Sequence, residues 1–184
     1  MIVGIDEVGR GCWAGPVAAG AVMLRRSIPG LKDSKQLTRE QREKLDVIIR
    51  KQAVAFGIGW AEPAEIDVLG MTAAVRLAMQ RALECITIEY KEVVIDGSLN
   101  FLRDNPKVRS LTKADLFIPA VSAASVIAKV ARDNLMSEFS TKYPGYGFEK
   151  HVGYGTAFHI AALDKLGVSE IHRKSFKPIR ALFA

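Results

Sequence analysis

Between Val54 and Trp60 the side chains alternate between bulky and small. Val54, Phe56, Ile58 and Trp60 are interleaved with Ala55, Gly57 and Gly59. That period of two describes a β-strand with one bulky face and one nearly bare face. The bare face admits a helix at close range, so the strand belongs in a layered α/β arrangement. A helical period follows at once. From Met71 to Ile86, the residues Val75, Met79, Ala82, Leu83 and Ile86 share one stripe, with Arg76, Gln80 and Glu84 off it.

The other elements read in the same way. Residues 1–6 form a strand with Val3 and Ile5 apolar, and Val17 to Leu24 form another, entered through the turn-former Gly15-Pro16. Thr38-Arg39-Glu40-Gln41 fits a capping box, Thr38 as N-cap and Gln41 three residues on, and predicts a charged helix to about Gln52. On it Glu40/Lys44 and Asp46/Arg50 stand four apart, acid before base. Val93-Val94-Ile95 is a short buried strand closed by Asp96-Gly97. Pro119 to about Ser140 is a helix rich in small residues, and Thr156 and Gly167 bracket a further one. If the first and fourth strands are parallel neighbours, Asp6 and Asp96 reach the same edge of the sheet, where ligands gather in open α/β sheets.

A chain of 184 residues suits one domain with a full core. A net charge of +6 favours a polyanionic partner, but only modestly. Cys12 and Cys85 have no metal-ligand spacing and are expected to be buried, reduced thiols. The N-terminus has no basic leader, and no run of about 20 apolar residues exists to span a membrane. A cytoplasmic location is the expectation.

The chemistry concentrates in Ile5-Asp6-Glu7-Val8-Gly9-Arg10-Gly11. Two adjacent carboxylates at a strand end are suited to divalent metal, although a strand-end aspartate often only caps a turn. Glycines flanking Arg10 let backbone N–H groups approach a phosphate or sugar. Neighbouring strand residues point to opposite faces. Asp6 and Glu7 therefore converge only if the strand ends or bulges there. Read alone, Lys35 is a solvated lysine in a polar loop. The stretch His172–Arg180, with four Lys or Arg and no acid, is either a solvated basic face or part of a groove that follows a nucleic-acid backbone. Among the aromatics after residue 142, Tyr143, Tyr146 and Phe148 read as core anchors. Tyr154, just before a helix N-terminus, is placed for substrate contact. His151, His159 and His172 have no metal-binding spacing and read as structural. Neither a phosphate-binding loop nor a serine nucleophile motif occurs.

Asp6-Glu7-Val8-Gly9-Arg10-Gly11 resembles the signature of the type 2 ribonucleases H. The likeness continues through Ala14-Gly15-Pro16, Asp33-Ser34-Lys35, Asp96-Gly97, Lys113-Ala114-Asp115 and the run from Ser122 to Asp133. It closes with Tyr146-Gly147-Phe148, Gly153-Tyr154-Gly155-Thr156 and His172-Arg173-Lys174-Ser175-Phe176. These blocks span nearly the whole chain in order. The resemblance implies a ribonuclease H-like fold, with a mixed five-stranded sheet flanked by helices and a helical C-terminal region, as one catalytic domain over residues 1–184. It implies a site of four carboxylates, Asp6, Glu7, Asp96 and Asp115, holding two divalent ions, Mg²⁺ or Mn²⁺. Asp133 competes for the fourth place and reads as structural. The backbone of Gly9, Arg10 and Gly11 would meet a ribose 2′-OH, Tyr154 the neighbouring sugar and Lys35 a phosphate. Val152 departs from the family pattern, where lysine often stands, and the change would weaken one backbone contact.

The implied activity is hydrolysis of the RNA strand of RNA–DNA hybrids. It extends to cutting 5′ of single ribonucleotides in duplex DNA, leaving 3′-hydroxyl and 5′-phosphate ends. The expected partners are those nucleic acids, with no membrane, no obligate protein partner and a monomeric state. No tether to a replication clamp is expected after the basic stretch. Two rivals remain at this point: a junction resolvase or DNA-only nuclease on the same fold, and a non-catalytic nucleic-acid-binding module. The second fits poorly, because four carboxylates without metal would repel a phosphate.

Overall fold

The computed structural model describes residues 1–32 and 34–183; Asp33, part of the Asp33-Ser34-Lys35 block, lies outside the described residues. Five strands, β1 (Ile2–Val8), β2 (Val17–Met23), β3 (Ala55–Ala61), β4 (Glu92–Asp96) and β5 (Val108–Leu111), form one sheet in the order β3-β2-β1-β4-β5. The β1–β2 and β2–β3 pairs are antiparallel, and β1–β4 and β4–β5 are parallel. The sheet is therefore mixed, and the expected parallel pairing of the first and fourth strands holds. The hydrophobic pattern had revealed neither β5, whose four residues Val-Arg-Ser-Leu carry little signal, nor the short helix α2 (Pro63–Leu69).

Helix α1 (Arg39–Gln52) begins with the expected capping box: Thr38 Oγ1 accepts the Gln41 N–H, and the Gln41 side chain accepts the Thr38 N–H. The Glu40–Lys44 and Asp46–Arg50 pairs form at 2.7 and 2.8 Å. Helix α3 (Met71–Glu84) lies on the bare face of β3. A Cβ on Gly59 would fall 2.0 Å from the Ala78 carbonyl oxygen, and one on Gly57 would fall 2.5 Å from that of Ala82. The main core joins this helix to Val3, Ile5, Ala19, Ala21, Val93 and Ile95, on one face of the sheet.

Helix α4 (Pro119–Lys142) covers the other face and approaches it just as closely. A Cβ on Gly4 would lie 2.2 Å from the Ala120 carbonyl carbon, and one on Gly20 would lie 2.4 Å from the Ala124 carbonyl oxygen. Its alanines and serines are thus the counterpart of strand glycines. Beyond it, α5 (Phe148–His151), α6 (Ala157–Leu166) and α7 (Lys177–Arg180) enclose a separate apolar cluster built on Met136, Phe148, Leu163 and Ile179. Tyr146 and Phe148 are buried there with rings stacked at 5.2 Å, and Tyr143 packs against the cluster, as expected of anchors. Cys12 is buried, but Cys85 is exposed, contrary to expectation: α3 ends at Glu84, and Cys85 sits in its C-cap. Among the described residues no helix is long and apolar enough to cross a membrane.

The glycine–alanine contact between β2 and α4 should tolerate no side chain. Gly20→Val is expected to destabilise the protein by about 3 kcal/mol, the upper end for overpacking, read as a lowered urea midpoint.

Candidate active site

Asp6 and Asp96 are brought together by register. Parallel pairing of β1 with β4 runs to Ile5–Ile95, so the next residue on each strand is one of the two acids. Both lie on the α4 side, since Ile5 and Ile95 face the opposite core. Burial, then the nearby Glu7 and Asp96 charges, push the Asp6 carboxyl up to about 8, against relief from Ser125 and the Glu7 N–H. Glu7 is raised as well, chiefly by burial, with Asp96 adding to the effect and Arg10 opposing it.

Of the two ways out, a bulge or a strand end, there is no bulge between Asp6 and Glu7, and β1 ends one residue later, at Val8. The β1–β2 ladder continues in register through Glu7–Ala19 and Val8–Ala18. β4 ends at Asp96, which leaves that edge of β1 open past Ile5. The acids are not closed into a ligand set. Among the described residues, no group of three His, Cys, Asp or Glu stands at metal-holding spacing. Glu7 Oε1 accepts from Arg10 Nη1 at 3.1 Å, and Asp96 Oδ1 accepts the Ala114 N–H at 2.8 Å. That second bond places Asp115, the next residue, in the turn anchored on Asp96. The turn is also fastened to α4, whose Ser122 hydroxyl donates to the Asp115 carbonyl at 2.6 Å. Carboxyls raised by burial and by neighbouring acids, as Asp6 and Glu7 are, suit a hard divalent cation, which relieves both. Asp133 sits apart from them. It pairs with Lys129 at 2.7 Å and with Arg42 at 3.9 Å, in keeping with a structural role.

The Gly9–Gly11 turn follows β1 directly. Gly9 has φ +91, and a Cβ on it would strike the Arg132 side chain at 2.2 Å. Gly11 is open: the nearest atom to an added Cβ is in the Tyr154 ring, 3.8 Å away. The exposed Tyr154 ring thus lies beside this turn. Lys35 lies in a single 3₁₀ turn, Ser34–Gln36. The buried Ser34 hydroxyl meets Ser125 Oγ at 2.8 Å, and Ser125 hydrogen-bonds Asp6, so this turn is tied to the acidic edge.

Arg132 and Arg173 had escaped the sequence reading as buried elements. Arg132 donates to the Pro16, Val152 and Ala14 carbonyls at 2.8, 2.8 and 3.0 Å. Arg173 donates to the Gly15 and Arg10 carbonyls, both at 2.9 Å. Both are fully buried, so the C-terminal basic stretch divides: His172 and Arg173 face inward, while Lys174, Lys177 and Arg180 are exposed. Val152 is left-handed at φ 44, costly for a β-branched residue. It is held by its carbonyl on Arg132 and by its N–H on the Phe148 carbonyl at 3.0 Å, and its side chain packs on the C-terminal cluster.

A mixed five-stranded sheet with α4 laid across it and acids at the β1/β4 edge defines the ribonuclease H class of α/β nuclease. The comparisons agree and are more specific. The family model for Ribonuclease HII matches residues 3–179. Ribonuclease HII of Nitrosococcus oceani is 50% identical over 181 residues, covering 97% of this chain and 90% of that one. The enzyme of Halorhodospira halophila is 47% identical, covering 98% and 94%. Among solved structures, ribonuclease H2 from Pyrococcus horikoshii superposes with a TM-score of 0.82 at 28% identity, covering 98% and 96%. Bst-RNase HIII shares the fold, at a TM-score of 0.74 and 20% identity, covering 99% and 68%. The chain belongs to the ribonuclease HII family. It is an endonuclease, a type 2 ribonuclease H with activity on RNA–DNA hybrids.

The raised Asp6 carboxyl has a stability consequence whose sign is fixed. Its folded value, about 8, exceeds the ordinary 3.8, so its contribution is fully retained below 3.8 and is lost as pH rises through 8. In metal-free protein, Asp6→Asn is therefore expected to raise the urea midpoint, by more at pH 8 than at pH 5.

Proposed function

We propose that this enzyme cuts 5′ of a ribonucleotide, in hybrids and at single ribonucleotides within duplex DNA, leaving a 3′-hydroxyl and a 5′-phosphate. The observation that carries the reading is the adjacency of two surfaces. The Asp6/Asp96 edge leads without interruption into the Gly9–Gly11 turn, and the Tyr154 ring stands beside that turn. Asp6, Glu7, Asp96 and Asp115 are the residues that would hold two divalent ions, Mg²⁺ or Mn²⁺. The chemistry these residues would gain from such ions is activation of water and stabilisation of the leaving 3′ oxygen.

The chain's own residues do the rest. The open backbone at Gly11 and the peptide groups of Gly9 and Arg10 receive the ribose 2′-OH, the group that separates RNA from DNA. Tyr154 packs on the adjoining sugar. Lys35, on the turn tied through Ser34 and Ser125 to Asp6, meets a phosphate of the same strand. The unit that acts is one domain, residues 1–184, working as a monomer in the cytoplasm without an obligate protein partner. Its partners are RNA–DNA hybrids and ribonucleotide-containing duplex DNA.

Mapping Mg²⁺-dependent cleavage of a duplex carrying one ribonucleotide tests the reading. One cut 5′ of that nucleotide is expected, and equal cleavage of an all-DNA duplex would refute it. Asp96→Asn should abolish metal-dependent cutting while binding, measured by mobility shift, largely survives. Gly11→Ala should fold normally, because its Cβ has room, yet lose at least about tenfold in kcat/KM on hybrid by filling the space meant for the sugar.

A further inference from the structure

The three histidines, far apart in sequence, meet in the C-terminal cluster, and all three are buried. His159 Nε2 lies 3.0 Å from His172 Nε2, and the His151 and His159 rings stack at 4.4 Å. Their outer partners fix every proton. The Ser169 N–H donates to His172 Nδ1 at 2.9 Å, so His172 carries its proton on Nε2 and points it at His159. His159 Nε2 must then accept. Its proton sits on Nδ1, which donates to the Tyr154 carbonyl at 3.0 Å. His151 Nδ1 accepts the Gly153 N–H at 3.2 Å, and its Nε2–H donates to the Tyr146 carbonyl at 2.8 Å. A directed chain therefore runs from the Ser169 turn through His172 and His159 to the backbone of Tyr154. His151 pins the residue before it.

We infer that His159, oriented by His172, is a positioning residue for Tyr154: it holds the loop carbonyl so that the ring stays beside Gly11 in register with the substrate sugar. The inference rests on the proposed role of Tyr154. Three observations support it. Among the described residues the Tyr154 carbonyl has one other donor, the Thr156 N–H at 2.9 Å, a contact within the same tight turn. The opposite side of the loop is fastened separately, through Trp13 N–H to the Gly153 carbonyl at 2.8 Å. The chain also works only with both imidazoles neutral, since a second proton would set two donors against each other. Burial favours that state, holding His159 and His172 down at about 4. The ionisable groups facing the pair are His151, from α5, and the Tyr146 hydroxyl, which is turned away onto the Leu166 and Gly167 carbonyls. Among the described residues no carboxylate forms an ion pair with any of the three.

Two substitutions separate positioning from simple packing. His159→Asn keeps a donor where Nδ1 stood, whereas His159→Gln reaches toward His172 and gives up the bond to Tyr154. On an RNA–DNA hybrid in Mg²⁺, His159→Gln should raise KM about tenfold with kcat within about twofold, and His159→Asn should stay near the parent. Tyr154→Ala should raise KM also, and adding His159→Gln to it should change nothing further. A silent Tyr154→Ala would remove the sugar-contact reading itself. A Tyr154→Ala effect with His159→Gln silent, with both His159 variants equally impaired, or with additive losses would overturn the positioning role while leaving that reading intact. Should the glutamine variant fail to fold, ¹⁵N imidazole spectra of the parent decide. His159 is expected protonated at Nδ1 and His172 at Nε2 at pH 7, with the Tyr154 amide shifting together with them on acidification. The opposite tautomers, or a Tyr154 amide that does not follow, would overturn it.

Discussion

The geometry of the site hangs on the guanidinium of Arg132 and the three carbonyls it gathers. Those carbonyls, at Ala14, Pro16 and Val152, come from two loops that share no regular structure and would otherwise expose unpaired acceptors. Arg132 is one member of a stripe along α4. Ser122, Ser125, Lys129, Arg132 and Met136 follow at spacings of three and four, which places them on one side of the helix. Ser122 fixes the Asp115 turn, Ser125 meets Asp6 and the Lys35 turn, and Arg132 fixes the loop after the glycines. One helix thereby holds the Asp115 turn, Asp6, the Lys35 turn and the loop after the glycines relative to one another. It can do so because glycines on β1 and β2 let its backbone sit directly on the sheet.

The acidic edge is the expensive part of this design. A carboxylic acid held near 8 at neutral pH is an unmet demand for a cation, created by burial and by two neighbouring acids. The fold meets part of that demand with weak substitutes. Arg10 serves Glu7, a peptide N–H serves Asp96, and a peptide N–H with the Ser125 hydroxyl serves Asp6. None of these is a buried ion pair, so each is easily exchanged for metal coordination. Asp133, by contrast, is committed to Lys129 and Arg42. That difference explains on physical grounds why an acid in the most telling helix of the chain stands apart from the candidate site.

Most of the scaffold was legible because it follows local rules. The capping box at Thr38 and the two-faced strand read over Val54–Trp60 came from spacing alone, and the approach of Asp6 and Asp96 followed once the first and fourth strands were taken as parallel neighbours. β5 escaped because four residues at a sheet edge carry no period. A strand end or a bulge near Glu7 was argued from strand geometry; β1 ends at Val8, while the stop of the neighbouring β4 at Asp96 is something no pattern within β1 reports. Arg132 and Arg173 escaped for a different reason. An arginine in sequence reads as solvated, and only tertiary structure shows carbonyls converging on it. The α4 spacing of Ser122, Ser125, Lys129 and Arg132 was a usable signal: polar residues on one stripe of a helix whose first half is otherwise small and apolar.

The choice of carbonyls over carboxylates as partners for these arginines has an electrostatic consequence. A buried guanidinium is normally neutralised by an acid. Here burial draws Arg173 down to about 10, yet at neutral pH it still carries its charge, and among the described residues its Nη2 has no partner. Arg132 likewise spends its donors on peptide oxygens. Two positive charges, neither in an ion pair among the described residues and only Arg173 eased by the Asp67 carboxylate, therefore lie beneath the Gly9–Gly11 turn. On the proposed reading, the turn has to read a 2′-OH with backbone groups while a phosphate lies alongside. Charge placed behind the peptide plane attracts that phosphate without occupying the surface that reads the sugar. An acid supplied to either arginine would steady the loop equally well but cancel that field and add to the repulsion at Asp6. On that reading, stabilising the loop and attracting the substrate are served by the same two side chains only so long as neither is closed into an ion pair.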